Sequence, residues 1–173
     1  MPPIKITKSD LQKTDIVSEI IKTTDQSGIQ EIMAVFNDIE AYQPFLISFF
    51  LGYKDRLKNN ELDELIKDMV IIWKYFCEFP VVKQKKISPN LFQKYDNINI
   101  NFLQYLSGET SEDSKRELTG INISSIKSKA LLTGFFVRYG EKESLKQMNT
   151  NLRGEILVGL KSLIECFEDV IDW

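Results

Sequence analysis

Apolar residues recur at three- and four-residue spacing along nearly the whole chain, most cleanly near its end. There Leu152, Ile156, Leu160, Leu163, Phe167 and Val170 form one stripe, with Leu157, Ile164 and Ile171 beside it. That period is helical, because a helix brings positions three and four apart back to the same face. A strand needs alternation instead. The one alternating run, Asn97-Ile98-Asn99-Ile100-Asn101, lies inside a longer helical stripe of Leu91, Tyr95, Ile98, Phe102 and Leu106, thickened by Phe92, Asn99 and Leu103. The pattern predicts an all-α chain with helix in roughly 60 to 70% of its residues, well above the usual third.

Capping and proline signals divide these stripes into six to seven helices. Ser9-x-x-Gln12 and Ser27-x-x-Gln30 read as capping boxes that open the first two helices, after an extended tail over residues 1–8. Pro44 closes the second helix and suits the first turn of a third, where Phe45, Leu46, Ile47, Phe49, Phe50, Leu51 and Tyr53 leave little polar surface. Asn59-Asn60 caps a fourth helix, from Glu61 to about Glu78. Its first half points Leu62, Leu65, Ile66 and Met69 inward and Asp63, Glu64, Lys67 and Asp68 outward, and Met69 to Trp73 is apolar all round. The third and fourth helices are therefore expected at the centre of the core.

Pro80 ends the fourth helix, and a basic connector carrying Lys83, Lys85 and Lys86 leads to Ser88-Pro89, the cap of a fifth. Residues 107–120 are polar throughout and read as an exposed loop. A sixth helix is expected from Asn122 to Tyr139, with Gly134 placed for a close helix crossing and Gly140 as its C-cap. A charged linker with room for one more helical turn precedes the seventh.

A chain of 173 residues suits a single domain, 1–173, and folding at this size buries roughly 70% of the accessible surface. Helix starts near residues 9, 27, 43 and 60 are about 17 apart, so a pair of helices would recur about every 34 residues, the length of a tetratricopeptide unit. Ile20, Ile32 and Ile39 stand where that repeat requires small residues, and the following segment does not continue it. The expected arrangement is a compact helical hairpin array or orthogonal bundle.

Chemistry is constrained by what the chain lacks. With no histidine it has neither the commonest general acid/base nor the commonest transition-metal ligand. Cys77 and Cys166 stand alone on apolar stripes and read as buried, reduced thiols. Ser124-x-x-Lys127 has the spacing of a serine–lysine nucleophile pair, but no supporting motif accompanies it and helix capping explains the serine. Glu61, Glu64 and Asp68 share a helix face and have oxygens for a hard cation, yet acids early in a helix are also ordinary solvated residues. No metal and no cofactor is expected.

The first residues carry no secretory leader pattern and no apolar run is long enough for a membrane span, so a cytoplasmic protein without a membrane partner is expected. A net charge of −3 disfavours nucleic acid. The leading expectation is a non-catalytic helical domain that binds another protein. Its contacts are placed on the two charge clusters outside regular helix: Lys83, Lys85 and Lys86 on the connector, and Glu109, Glu112, Asp113 and Glu117 on the polar loop. The alternatives are a binder of small apolar ligands with a pocket between helices three to six, and a histidine-free enzyme relying on carboxylate, lysine, tyrosine or cysteine.

Overall fold

The computed structural model describes residues 8–172, with side chains from Lys13 onward. Nine α-helices follow one another among them: α1 (Lys8–Gln26), α2 (Ile29–Tyr42), α3 (Pro44–Tyr53), α4 (Asn59–Phe76), α5 (Pro89–Gly108), α6 (Glu112–Ser124), α7 (Lys129–Glu141), the single turn α8 (Glu143–Lys146) and α9 (Thr150–Ile171). Short 3-10 turns cover Lys54–Arg56 and Pro80–Lys83. The described chain is 84% helical and has no strand. None of its helices is long and apolar enough to cross a membrane. The tail expected over 1–8 lies outside the described residues except for Lys8, which opens α1, and the capping box at Ser9 and Gln12 falls on side chains that are likewise outside them.

α4 and α9 carry most of the core. Met69, Val70, Ile71, Ile72 and Phe76 of α4 and Ile156, Leu160, Leu163, Ile164 and Phe167 of α9 have no exposed surface. Phe76 and Phe167 stack with ring centroids 4.6 Å apart and planes 7° from parallel, which joins the two helices directly. α3 is less central than its sequence suggests. Leu46, Phe49 and Phe50 are buried, but Ser48, Leu51 and Gly52 are exposed, so one face of α3 remains open.

Two glycines set helix spacings. A Cβ at Gly134 would lie 2.9 Å from both Ile21 Cδ1 and Val17 Cγ1, so α7 crosses α1 through the gap left by a missing side chain, as its sequence position predicts. Gly159 of α9 meets α3 more closely still, with the Phe49 ring 2.5 Å from where a Cβ would sit.

Several boundaries differ from expectation. The exposed loop predicted over 107–120 shrinks to residues 109–111, because α5 runs to Gly108 and α6 begins at Glu112. Ser111 caps α6 by accepting from the Ser114 N–H at 3.3 Å, and Glu112 and Asp113 complement the positive end of the helix dipole. A cap and a charge pattern make this helix, with little apolar periodicity to announce it. The helix predicted from Asn122 to Tyr139 is two elements, broken between Ser124 and Lys129, where the Glu168 carboxylate accepts from the Ser128 N–H at 2.6 Å. Gly140 lies within α7, whose C-cap is Lys142. Ser27 donates to the Thr23 carbonyl at 2.9 Å and caps nothing, so α2 starts behind Gly28. The Ser88 cap forms as expected, accepting from the Leu91 N–H at 3.1 Å.

Candidate functional site

The most concentrated chemistry lies where α1, α4 and α7 meet. Arg138 is buried in α7, and its guanidinium reaches Glu64 at 2.5 Å, Asp25 at 3.1 Å and Asp68 at 3.2 Å. Lys142 joins Asp25 and Glu64, both at 2.7 Å, and the Tyr139 hydroxyl donates to Asp68 at 2.6 Å. Glu64 and Asp68, expected on a solvated face, are therefore buried: α1 and α7 pack over that face and bring the countercharge with them. Glu61, the third acid of the sequence cluster, is also buried, and accepts from the Lys58 N–H at 2.9 Å as part of the α4 cap. Of the three acids, Glu64 and Asp68 hold the Arg138 guanidinium and Glu61 does not.

Burial pushes the Asp68 carboxyl up to about 6, and neither Arg138 nor the Tyr139 hydrogen bond fully offsets this. Tyr139 is driven well above its ordinary value by burial and by Asp68. Because Arg138 and Asp68 have almost no contact with solvent, no substrate can reach the pair. The cluster joins three helices and is not placed to catalyse.

A second polar seam joins α5 to α9. Asn99 is the buried residue of α5. Its amide donates to Ser162 at 3.0 Å and to Glu165 at 2.6 Å, and its oxygen accepts from Lys161, which also pairs with Glu165 at 2.8 Å. The predicted α5 stripe is therefore rotated: Asn99 faces α9, while Ile98 is 49% exposed. Lys161 was not legible as a functional-looking residue, because an isolated lysine beside an apolar stripe looks like any solvated one.

Two surface grooves flank these seams. One, about 370 Å³, runs between α3 and α5 and is lined by Phe45, Phe49, Tyr53, Phe92, Asp96 and Arg56 with Ser48 and Gly52. The other, about 330 Å³, follows α6 and is lined by Lys115, Arg116, Thr119, Gly120, Ile123, Ser124 and Lys129.

Beyond Asn99 the character of the surface changes. From residue 100 to residue 125 no side chain is buried, although Ile100, Phe102, Leu103, Tyr105, Leu118 and Ile121 lie in this span. Tyr105 and Ile121 are 61% and 60% exposed. The second half of α5 and all of α6, joined by residues 109–111, thus leave apolar side chains open to water.

The sequence-predicted contact residues fall at opposite ends of α5. Lys83, Lys85 and Lys86 are exposed on a loop whose backbone is fixed by buried Gln43, which donates to the Val82 and Lys85 carbonyls at 2.6 and 2.7 Å and accepts from the Ile87 N–H at 2.9 Å. Lys83 sits 5.6 Å from the centre of the Tyr42 ring, which stacks on Trp73. At the far end Glu109 accepts from the Thr110 and Ser111 N–H groups, Glu112 pairs with Lys115 at 2.9 Å, and Asp113 and Glu117 are exposed on α6. The twenty residues of α5 hold the two clusters about 30 Å apart. They are not each other's partners.

The surroundings of both thiols disfavour the thiolate. Burial raises the Cys166 thiol to about 12 and raises Cys77 as well. Ser124 donates to the Gly120 and Ile121 carbonyls, and Lys127 is exposed on the connector after α6. Among the described residues no group of three or more cysteine, aspartate or glutamate side chains is arranged to hold a metal ion. Compared with protein-family models, curated proteins and solved structures, the chain matches none.

Proposed function

We propose that this chain is a non-catalytic helical domain that binds another protein through the second half of α5 and through α6. The observation that supports this is the run from residue 100 to residue 125 with no buried side chain, which leaves Leu103, Tyr105 and Ile121 about half exposed or more. Apolar side chains gathered at a surface are uncommon on a protein that works alone and ordinary at an interface. The partner offers an apolar helix face flanked by basic residues, because exposed Asp113 and Glu117 stand on α6 with Glu109 and Glu112 beside them. Lys83, Lys85 and Lys86 take part only if the partner is long enough to span α5. The segment is carried by a compact array of helical hairpins working in the cytoplasm.

The test is photo-crosslinking in the native cell. A photoreactive residue at Tyr105 is expected to give one dominant product, lost when Leu103 and Ile121 are both changed to glutamate in the full chain. A product formed equally well by the double variant, or formed only from a probe at Lys85, overturns the proposal. A product that is a second copy of this chain also overturns it.

A further inference from the structure

The groove between α3 and the first half of α5 is a second surface, separate from the segment 100–125. Its walls come from helical spacing: Phe45, Phe49, Tyr53 and Arg56 recur along one face of α3 and the turn behind it, and Phe92 and Asp96 face them one turn apart on α5. The rings form a continuous set, with centroids 5.1 Å apart for Phe45 and Phe92, 5.7 Å for Phe49 and Phe92, and 5.2 Å for Phe49 and Tyr53. Asp96 is the carboxylate among them. It accepts only a long bond, 3.4 Å, from Ser162, and no lysine or arginine among the described residues pairs with it. The one cation of the groove, Arg56, is bound at both nitrogens by Glu155, at 2.7 and 3.1 Å. Asp96 and Glu155 against Arg56 leave the groove with one uncompensated negative charge.

We propose that this groove binds a small methylated ammonium compound of about the size of choline. Aromatic faces attract a cation through their quadrupole, and methyl groups shed water more readily than the hydrogens of a primary amine. Asp96 supplies the countercharge at the groove's edge. A metal ion is a poor occupant, because the rings offer it no ligands. An anion is refused by Asp96 and Glu155. Their field is already felt by the Tyr53 hydroxyl, which is pushed up to about 12 by burial and then by these two carboxylates. Arg56 shows the same preference in miniature, with its guanidinium 5.8 Å from the centre of the Tyr53 ring.

Gly52 provides a clean way to close the site. A Cβ added there meets nothing within 4 Å, so a larger side chain enters the groove without disturbing the fold. The experiment follows the backbone amide resonances of the full chain during titration with choline and, separately, with 3,3-dimethylbutan-1-ol, its uncharged isostere. Choline is expected to shift the Gly52, Phe92 and Asp96 signals saturably at millimolar concentration, and more weakly as salt rises. The alcohol should bind about tenfold more weakly or worse, as should choline to Asp96→Asn. Gly52→Leu should abolish the shifts while its melting temperature stays equal or rises. Equal binding of choline and the alcohol, no saturable shift at all, or binding of a trimethyl-lysine peptide without binding of choline would each overturn the proposal. Because the segment 100–125 is untouched by these variants, its crosslink and this titration fail independently.

Discussion

At the scale of single residues, Arg138 carries the heaviest responsibility. It answers Asp25, Glu64 and Asp68 from one guanidinium, and burial leaves Glu64 and Asp68 almost no water to fall back on. Arg138→Met is expected to cost about 3 to 5 kcal/mol in urea unfolding, because it strands buried charge. Asp68→Asn behaves differently. The folded chain holds the Asp68 proton with a pKa of about 6, above the ordinary 3.8, so its contribution to stability is full below the lower value and is lost as pH rises through the higher. The stability of the native protein relative to Asp68→Asn should therefore fall by about 3 kcal/mol between about pH 4 and about pH 7. A difference that stays flat or grows over that range contradicts the account of this cluster.

The glycines give a graded test at the same scale. Gly159→Ala forces a methyl group into the Phe49 ring and should cost about 1 to 3 kcal/mol. Gly134→Ala meets only the ends of Ile21 and Val17, and should cost less. Gly52→Ala enters open space within α3 and should stabilise by about 0.5 to 1 kcal/mol. Melting curves for the three single variants check the order.

At the scale of elements, the helices that pack are the ones legible in the sequence. α4 and α9 bury long stripes, and their periodicity reports it. α6 was illegible because no side chain of it is buried; the cap at Ser111, the Glu112–Lys115 pair and the acids of its first turn make it a helix. Glu64 and Asp68 were misplaced for a related reason. Hydropathy sends polar residues outward, and only the facing helix, with Arg138 on it, shows that they turn inward. One signal was available: Arg138 interrupts an otherwise apolar α7 between Phe135 and Tyr139. Hydrogen exchange should rank the elements accordingly. Amides of α4 and α9 are expected to exchange slowest, at close to the global unfolding free energy, and those of α6 and the end of α5 fastest among the helices. Equal protection of α6 and α4 would mean that α6 is as firmly packed as the core.

At the scale of the whole molecule, the core gives out along the length of α5. Its first half closes the core against α9, and its second half leaves the core altogether. The basic loop held by Gln43 stands about 30 Å from the acidic start of α6, so these two charge clusters are too far apart to pair. Changing Lys83, Lys85 and Lys86 together to glutamate should leave the melting temperature nearly unchanged, since each exposed substitution is worth no more than about 0.5 kcal/mol. The proposal that the end of α5 and α6 bind a protein meets its most direct test in hydrogen exchange of this chain alone and in complex with the crosslinked partner. The account predicts that protection gained on binding centres on residues 100–124. Protection confined to the Lys83–Lys86 loop or to the α4 and α9 surface, with 100–124 unchanged, would contradict it.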